Sequence, residues 1–372
     1  MIFAVISEFN PFHNGHRYLL ESLPKKEGDY TVCIMSGSFV QRGEPAAFDK
    51  WSRAAAAVEN GADLVLELPL PYALSDGDRF AAKGVEIAAA LGQPVTMAFG
   101  TECQDLKGLS RLAALEEQDL SAPLREALEQ GCSYGEARQR AYETLLPKES
   151  ALLRAPNNLL ALGYIRACLK RGIPYLGIQR TSPHDGLPGG SFASASYIRA
   201  HREQFSAFCP TLQGPALDLR AAEIGILSLL KTKDAATLKN CANIGEGLEN
   251  RILSALKESA DLQSLYETLK TKRYSMAKLR RAIMSCILEL PKGLPDEAPP
   301  YLRILAIGEK GRVLLKEAKP SIPFANTGKE CERFSSAFFE TERRATDLWN
   351  SWSESPCPAG EDFRRGAIRR FE

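Results

Sequence analysis

The sequence predicts an α/β protein in which a Rossmann-like, doubly wound parallel sheet is followed by a mostly α-helical C-terminal domain. Three observations support this fold class. Short, unbroken apolar runs alternate with helical segments in the first half, helix follows helix beyond about residue 210, and the 372 residues exceed a typical single domain. We therefore expect two domains, residues 1–208 and residues 209–372.

The apolar runs of the first half are expected to be strands buried on both faces, because they do not alternate polar with apolar residues. They are Ile2–Ser7, Thr31–Ser36, Leu64–Leu68, Val95–Phe99 and Tyr175–Ile178. Helical segments begin near Gly15, Ala46, Asp78 and Gln104. Open α/β sheets bind ligands at the carboxyl ends of their strands, so the functional residues are expected there.

Amphipathic spacing predicts helices through most of the second half of the chain. They cover Ala221–Leu230, Leu248–Ser259, Ala260–Leu269 and Met276–Leu290. Residues 291–300 contain four prolines and are expected to form a loop, and the residues from Ser351 onward lack periodicity and are expected to form a tail. Residues 201–372 carry a net charge of +4 and residues 1–200 one of −3, which favours the C-terminal half as the side that faces a polyanion.

The composition indicates an ordinary cytoplasmic protein, with 44% hydrophobic and 25% charged residues. The apolar start is short and is interrupted by Glu8, unlike a signal peptide, and no apolar run approaches the roughly 20 residues that span a bilayer. The nine cysteines show neither a CxxC motif nor paired spacing. We therefore expect reduced thiols, no zinc site and no contact with a membrane.

A phosphate site is predicted where the first strand leads into the first helix, through the HxGH sequence His13-Asn14-Gly15-His16. The N-terminus of a helix presents unpaired N–H groups and partial positive charge to a phosphate, and glycine lets the backbone approach it closely. His13 and His16 can donate hydrogen bonds to charge that develops on phosphorus. HxGH motifs occur in nucleotidylyltransferases and class I aminoacyl-tRNA synthetases, and the competing interpretation is that the histidines only cap the helix.

A second phosphate element is predicted at Ser194, Ser196 and Arg199, which resemble the SxTxxR-type motif found late in the same superfamily, with Ser196 where threonine is common. The two hydroxyls would bind phosphate oxygens, and Arg199 would balance the charge of departing pyrophosphate. A serine N-cap on an ordinary helix is the alternative.

Several further segments resemble one narrower family, the bacterial tRNA(Met) cytidine acetate ligases, an HxGH nucleotidylyltransferase type. The matching segments are Glu8–His16, Met35–Ala46, Asp49–Arg53, Ala98–Glu102, Pro156–Tyr164 and the SASxxR sequence, with a weaker match through Lys272-Arg273-Tyr274 and Arg280-Arg281. Their order and spacing match the family over roughly residues 1–200.

The resemblance implies that ATP activates acetate as acetyl-adenylate, and that the acetyl group then passes to N4 of the wobble cytidine of elongator tRNA(Met). It implies ATP with Mg²⁺, acetate and this tRNA as the binding partners, and DNA is not expected. His13, His16 and Arg199 would be catalytic. The segment implied to hold ATP consists of Ser7, Glu8, Phe9, Asn10, Pro11, Phe12, His13, Asn14, Gly15, His16, Arg17, Tyr18, Leu19 and Leu20.

Gly100, Asn157 and Arg180 would complete the ATP pocket by the same resemblance. Gly100 and Arg180 follow predicted strands, where a tight turn and a surface charge are the competing interpretations, and Asn157 could instead cap the helix that follows it. The base for the cytidine N4 proton is not identified by the sequence. His184 and Asp185 are candidates, although the segment around them also fits a turn.

The best candidate for RNA contact is the segment 270–281, which carries six basic and no acidic residues together with Tyr274 for stacking. The basic residues are Lys270, Lys272, Arg273, Lys278, Arg280 and Arg281. A solvated helix face is the alternative. Two other functions remain open, an adenylyltransferase that acts on a small phosphorylated metabolite without RNA, and a nucleotide-dependent RNA-binding protein without activity.

Overall fold

The computed structural model describes residues 1–103, 105–180, 189–245, 247–272 and 274–370. The strands are β1 (Ile2–Ser7), β2 (Tyr30–Ser36), β3 (Phe39–Val40), β4 (Glu44–Pro45), β5 (Leu64–Leu68), β6 (Val95–Thr101), β7 (Tyr175–Gln179), β8 (Leu302–Gly308), β9 (Phe324–Ala325) and β10 (Ile368–Arg370). The strands predicted in the first half are thus all present, with ends that differ by no more than two residues.

The central sheet has the strand order β10-β8-β5-β2-β1-β6-β7, and β9 pairs with β8. From β5 to β7 every pairing is parallel. The chain builds outward from β1 through β2 and β5 on one side, and then returns to place β6 and β7 on the other side. This reversal creates a crevice between the carboxyl ends of β1 and β6, which is where doubly wound sheets bind ligands.

The helices of the first half cover the faces of this sheet. They are α1 (Asn14–Glu21), α2 (Lys50–Glu59), α3 (Leu70–Ala73), α4 (Gly77–Ala89), α5 (Leu106–Ala114), α6 (Glu117–Glu129), α7 (Tyr134–Leu145), α8 (Pro147–Ser150), a 3₁₀ helix at Ala151–Arg154, and α9 (Pro156–Arg171). The helix expected from Ala46 begins at Lys50, because Asp49 accepts the N–H groups of Trp51 and Ser52 and caps it there. Gln104, expected near the start of α5, lies outside the described residues.

The second half is mainly helical, as predicted. It contains α10 (Ala195–Ala200), α11 (Phe205–Phe208), α12 (Leu219–Lys231), α13 (Ala235–Lys239), α14 (Leu248–Glu258), α15 (Leu262–Leu269), α16 (Met276–Ile287), α17 (Glu309–Glu317), α18 (Gly328–Phe334), α19 (Ser336–Ser351) and α20 (Glu361–Arg364), with 3₁₀ helices at Arg202–Gln204 and Leu294–Asp296. None of the helices in the described ranges combines the length and apolar character needed to cross a membrane.

The end of the chain differs from the sequence prediction, because it returns to the sheet. β8 pairs antiparallel with β5, and β10 pairs parallel with β8. The residues from Ser351 onward therefore end in an edge strand rather than in a tail. β8 is buried throughout, but Arg303 interrupts its apolar run, and that side chain is buried against Cys331 and Asp362. The sheet contains strands from both sides of the expected boundary at residues 208 and 209, and a division into two domains stays a prediction.

A buried ion cluster joins this last segment to the sheet. The ammonium of Lys50 on α2 lies 2.8 Å from Glu67 on β5 and 2.8 Å from Asp362 on α20. All three side chains are almost inaccessible to solvent. Because an unpaired charge in a dry interior is costly, the cluster fixes how the C-terminal residues pack against α2 and β5.

Candidate active site

The HxGH residues form the first turn of α1 at the mouth of the crevice. His13 is the N-cap residue, and its Nδ1 accepts the N–H of Gly15 at 3.0 Å. Nδ1 of His16 accepts the N–H of His13 at 3.3 Å, which completes a reciprocal capping box. The two imidazole rings stack with their centroids 3.9 Å apart. The two histidines therefore do cap the helix, as the alternative interpretation holds, and their rings also lie side by side at the crevice.

These hydrogen bonds fix which nitrogen of each ring carries the proton. Since both Nδ1 atoms accept, the neutral rings are protonated on Nε2, which is left as a donor. Burial, together with the nearby positive charges of Arg180 and Arg199, lowers the pKa of His13 to about 3. Burial and the neighbouring His13 hold the pKa of His16 well below its ordinary value. Both side chains are therefore neutral hydrogen-bond donors near neutral pH.

The other wall of the crevice carries Gly100, Asn157 and Arg180. The backbone N–H of Arg180 donates to the carbonyl oxygen of Thr101 at 3.0 Å, and the buried side-chain Nε of Arg180 has no hydrogen-bond partner in the part of the chain that the structure describes. A Cβ at Gly100 would lie 3.5 Å from Cγ of Arg180, an ordinary contact, so the protein itself leaves room for a side chain there. The Asn157 side-chain amide donates to the Glu102 carboxylate, and Ala155, not Asn157, is the N-cap of α9.

The second predicted phosphate element separates into two parts. Ser194 is the N-cap of α10, where its hydroxyl accepts the N–H of Tyr197 at 3.1 Å, as the alternative interpretation had it. Ser196 and Arg199 line the crevice instead. Arg199 donates to the carbonyl oxygen of Asn10 at 2.7 Å, and its guanidinium lies 3.6 Å from Glu44. This contact places Arg199 against residues 8–16, which lead from β1 into α1 and which we call the HxGH loop.

A hairpin for which the sequence predicts no role closes the site from a third side. It is formed by β3 and β4, and we call residues 39–45 the hairpin. The N–H of Gln41 donates to the Glu8 carboxylate at 2.8 Å, and Arg42 lies 3.5 Å from the hydroxyl of Ser196. The only sequence signal for these residues was the family resemblance of Met35–Ala46.

The walls enclose a cleft of about 2180 Å³. The residues of the predicted ATP segment that line it are Ser7, Glu8, Phe9, Asn10, His13, Gly15, His16, Tyr18 and Leu19. Phe12 and Leu20 are buried in the core instead, Asn14 donates to Ser191, and Arg17 pairs with Glu21 at 2.7 Å. Gly100, Asn157 and Arg180 also line the cleft.

The C-terminal part of the basic segment lies beside this cleft. Lys278 and Arg281 of α16 line it, and Lys270 and Lys272 are exposed just before that helix. The ammonium of Lys278 lies over the ring of Tyr274, 5.0 Å from its centroid, and that ring is buried rather than available for stacking as predicted. Arg280 is partly exposed, 3.9 Å from Glu44.

Arg281, in contrast, is only 8% exposed and donates to the carbonyl oxygen of Gln41 at 3.3 Å. It therefore supports the hairpin. Arg273 lies outside the described residues, as do the candidate bases His184 and Asp185. In the described ranges, no three His, Cys, Asp or Glu side chains are grouped so that they could hold a metal ion.

Known proteins resemble the chain along its whole length. A family model described as HIGH Nucleotidyl Transferase matches residues 1–362. The tRNA(Met) cytidine acetate ligase of Thermoanaerobacter sp. is 31% identical over 99% of both chains, and that of Bacillus subtilis is 33% identical over 97% of this chain and 94% of its own.

Solved structures agree with these sequence relationships. The crystal structure of Thermotoga maritima TmcAL bound with alpha-thio ATP superimposes with a TM-score of 0.88 at 28% identity, and covers all of both chains. The apo form of the same protein gives a TM-score of 0.90. The chain therefore belongs to the tRNA(Met) cytidine acetate ligase family of HIGH nucleotidyl transferases.

Proposed function

We propose that this protein is an ATP-dependent ligase that activates acetate as acetyl-adenylate and acetylates N4 of the wobble cytidine of elongator tRNA(Met). The products are N4-acetylcytidine, AMP and pyrophosphate. The observation that carries the proposal is the neutral, stacked pair His13 and His16 at the switch point of the sheet, in a chain whose relatives bear this name along their full length.

The first half-reaction follows from the donors around the cleft. An oxygen of acetate attacks the α-phosphorus of ATP, and the P–O bond to pyrophosphate breaks. As negative charge rises on the non-bridging oxygens, the Nε2–H groups of His13 and His16 donate hydrogen bonds to them. Both rings are neutral, and each keeps its Nε2 proton for this purpose. Arg199 balances the leaving pyrophosphate, with Mg²⁺ carried on the ATP phosphates as part of the substrate.

The remaining pocket residues would hold the nucleotide. The Nε of Arg180 is a buried donor without an acceptor among the described residues, a costly state that a bound phosphate or ribose oxygen would relieve. Because the protein leaves space beside Gly100, we infer that bound nucleotide occupies that space. Asn157 next to Glu102 would contact the adenosine part.

The RNA would approach along the start of α16. Lys270, Lys272, Lys278 and Arg280 present their charges to solvent or to the cleft, which suits contacts to the phosphates of a structured RNA. Arg281 would act indirectly, by supporting the hairpin. An adenylyltransferase for a small metabolite remains the second candidate, and the continuity between this basic segment and the cleft disfavours it.

Incubation with ATP, Mg²⁺, labelled acetate and unmodified elongator tRNA(Met), followed by digestion of the RNA, tests the proposal. We expect labelled N4-acetylcytidine from the wild-type protein and none from His16→Ala. A His16→Gln variant keeps the size and polarity of the side chain and separates loss of chemistry from loss of packing. ATP turnover with another acceptor and no label in RNA would favour the small-molecule adenylyltransferase.

A further inference from the structure

Glu8 is the first residue after β1, and its carboxyl group lines the cleft five residues before His13. One oxygen, Oε1, accepts the N–H of Gln41 at 2.8 Å, so the hairpin fixes the position of the side chain. A carboxylate is out of place in a pocket for ATP and acetate, since it repels both anions. Its presence therefore calls for a chemical reason.

The charged and titratable groups around Glu8 come from each element packed against it. They are Arg42 and Glu44 on the hairpin, Arg53 on α2, Tyr164 on α9 and Arg199 on α10. Burial raises the pKa of Glu8, while the charges of Arg42 and Arg199 and the Gln41 hydrogen bond lower it and Glu44 raises it. Glu8 is thus a stronger base than a surface carboxylate and keeps two guanidinium groups nearby to favour its ionised form.

The second half-reaction needs a proton acceptor. Cytidine N4 is a weak nucleophile whose nitrogen becomes acidic as the new C–N bond forms, and the proton must leave for the amide to persist. His13 and His16 cannot take it, because each Nδ1 already accepts a backbone N–H and each Nε2 carries the proton of the neutral ring.

The other carboxylates that line the cleft in the described ranges are already hydrogen-bonded or ion-paired, or are exposed to solvent. Asp76 caps α4 by accepting the N–H of Arg79. Asp78 is paired with Arg138 at 2.5 Å and with Arg166 at 3.1 Å. Glu116 and Glu117 are exposed at the start of α6. Glu8 alone among them belongs to the HxGH loop.

We propose that Glu8 is the general base of the transfer step, an inference that rests on the proposed function. The N4 lone pair attacks the acetyl carbon of acetyl-adenylate, the C–N bond forms, and the C–O bond to the phosphate breaks. AMP leaves with the electron pair of that bond. The N4 proton passes to the Glu8 carboxylate, which later releases it to solvent. The activation step requires no base, because acetate is already ionised.

Glu8→Gln tests this assignment, because glutamine keeps the shape and the acceptor for Gln41 but cannot take a proton. Two rates are compared in the full-length protein: acetate-dependent ATP–pyrophosphate exchange, and single-turnover acetylation of tRNA(Met). We expect transfer to fall by about 10²–10⁴-fold, the usual contribution of a general base, and exchange, which reports nucleotide binding and activation, to fall far less. The wild-type transfer rate should rise with pH to a plateau, and the variant should show no such rise.

Two further variants keep the test decisive. Asp76→Asn removes a negative charge from the same cleft and keeps an N-cap residue, so we expect both rates to change to the same extent. Glu8→Asp retains a carboxylate and should keep the pH-dependent rise, although transfer is slower.

Three results would overturn the assignment. Transfer by Glu8→Gln within about tenfold of wild type excludes a general base of ordinary efficiency. An equal loss of exchange and transfer would place Glu8 in nucleotide binding, and a flat pH profile for Glu8→Asp would remove the titrating group. If wild-type protein itself forms no acetylcytidine, the proposed function fails, and the assignment falls with it.

Discussion

Arg53 is the buried side chain whose loss should disturb the site most without touching a substrate. It lies on α2 with no solvent exposure, and it donates to backbone carbonyl oxygens at three places. These are Glu8 at 2.7 Å, the end of β2 through Ser36 at 3.1 Å and through Gly37, and Phe48 at 3.0 Å. One guanidinium thus joins the carboxyl ends of β1 and β2 to the loop before α2.

Arg53→Met keeps much of the side-chain volume and removes every donor. A hydrogen bond to a charged group contributes about 1.5–3 kcal/mol, so four of them set an upper limit of about 6–12 kcal/mol. Such terms are not additive, and water can enter from the adjacent cleft to satisfy some carbonyls. We therefore expect a loss of about 3–5 kcal/mol in the free energy of unfolding, the range seen when one partner of a buried charged network is removed.

Urea unfolding followed by intrinsic fluorescence measures this loss, and ATP binding by calorimetry reports on the loop. Arg220→Met, at an exposed position of α12, is the matched control and should change stability by less than about 0.5 kcal/mol. We also expect ATP affinity to fall by about tenfold, or 1.4 kcal/mol, because the loop from β1 to the HxGH residues loses the hydrogen bond that holds its backbone at residue 8. A destabilisation of Arg53→Met below about 1 kcal/mol would refute the reasoning, since four desolvated carbonyl groups could not then depend on this side chain.

Three other variants probe the pH dependence of stability, the packing of the hairpin and the proposed RNA contacts. The pKa of His13 is about 3 in the folded protein and about 6.5 in the unfolded chain, so between these pH values the unfolded chain binds more protons and the free energy of unfolding falls as the pH drops. Between about pH 7 and about pH 5, His13→Asn should therefore lose about 2 kcal/mol less of its free energy of unfolding than wild type, measured by urea unfolding, and an equal loss would contradict the neutral ring. Gly43→Ala would bring Cβ within 2.4 Å of the Arg281 backbone nitrogen at a φ of +75°, and it should cost about 2–4 kcal/mol by thermal unfolding. Gly28→Ala has a φ of +84° and no neighbour within 4 Å, so it should cost only about 1–2 kcal/mol, and equal costs would mean that the close approach is unimportant. Lys278→Ala should raise the KM for tRNA and reduce by about one the slope of log affinity for tRNA against log salt concentration. Lys239→Ala on α13 is the control that leaves this slope unchanged, and equal slopes for the two variants would exclude Lys278 from phosphate contact.

The parts of the fold that were predicted correctly are those with a local pattern. Strands β1, β2, β5 and β6 of the parallel sheet are apolar runs because helices cover both of its faces, and that environment imposes the same requirement on nearly every residue of a strand. β7 lies at the edge of the sheet, and its residues are half-buried or exposed rather than buried on both faces as predicted. The HxGH residues were likewise recognisable, since the strand, the turn and the helix cap occupy consecutive positions. β8 was missed because Arg303 breaks its apolar run, and only the tertiary structure supplies the partners that make a buried arginine acceptable.

The sequence by itself determined the parallel sheet, the HxGH turn before α1 and the basic segment 270–281, because each rests on residues close together in the chain. Only the tertiary structure decided what surrounds the loop. The Arg281–Gln41 contact spans 240 residues and the Lys50–Asp362 pair spans 312. No local pattern encodes contacts at such separations. β8 and β10 extend the edge of the sheet and the C-terminal segment returns to it, which brings Asp362 to Lys50, and the packing of α16 against the hairpin brings Arg281 to Gln41. The tertiary structure also places the hairpin against Glu8 and α16 beside the cleft.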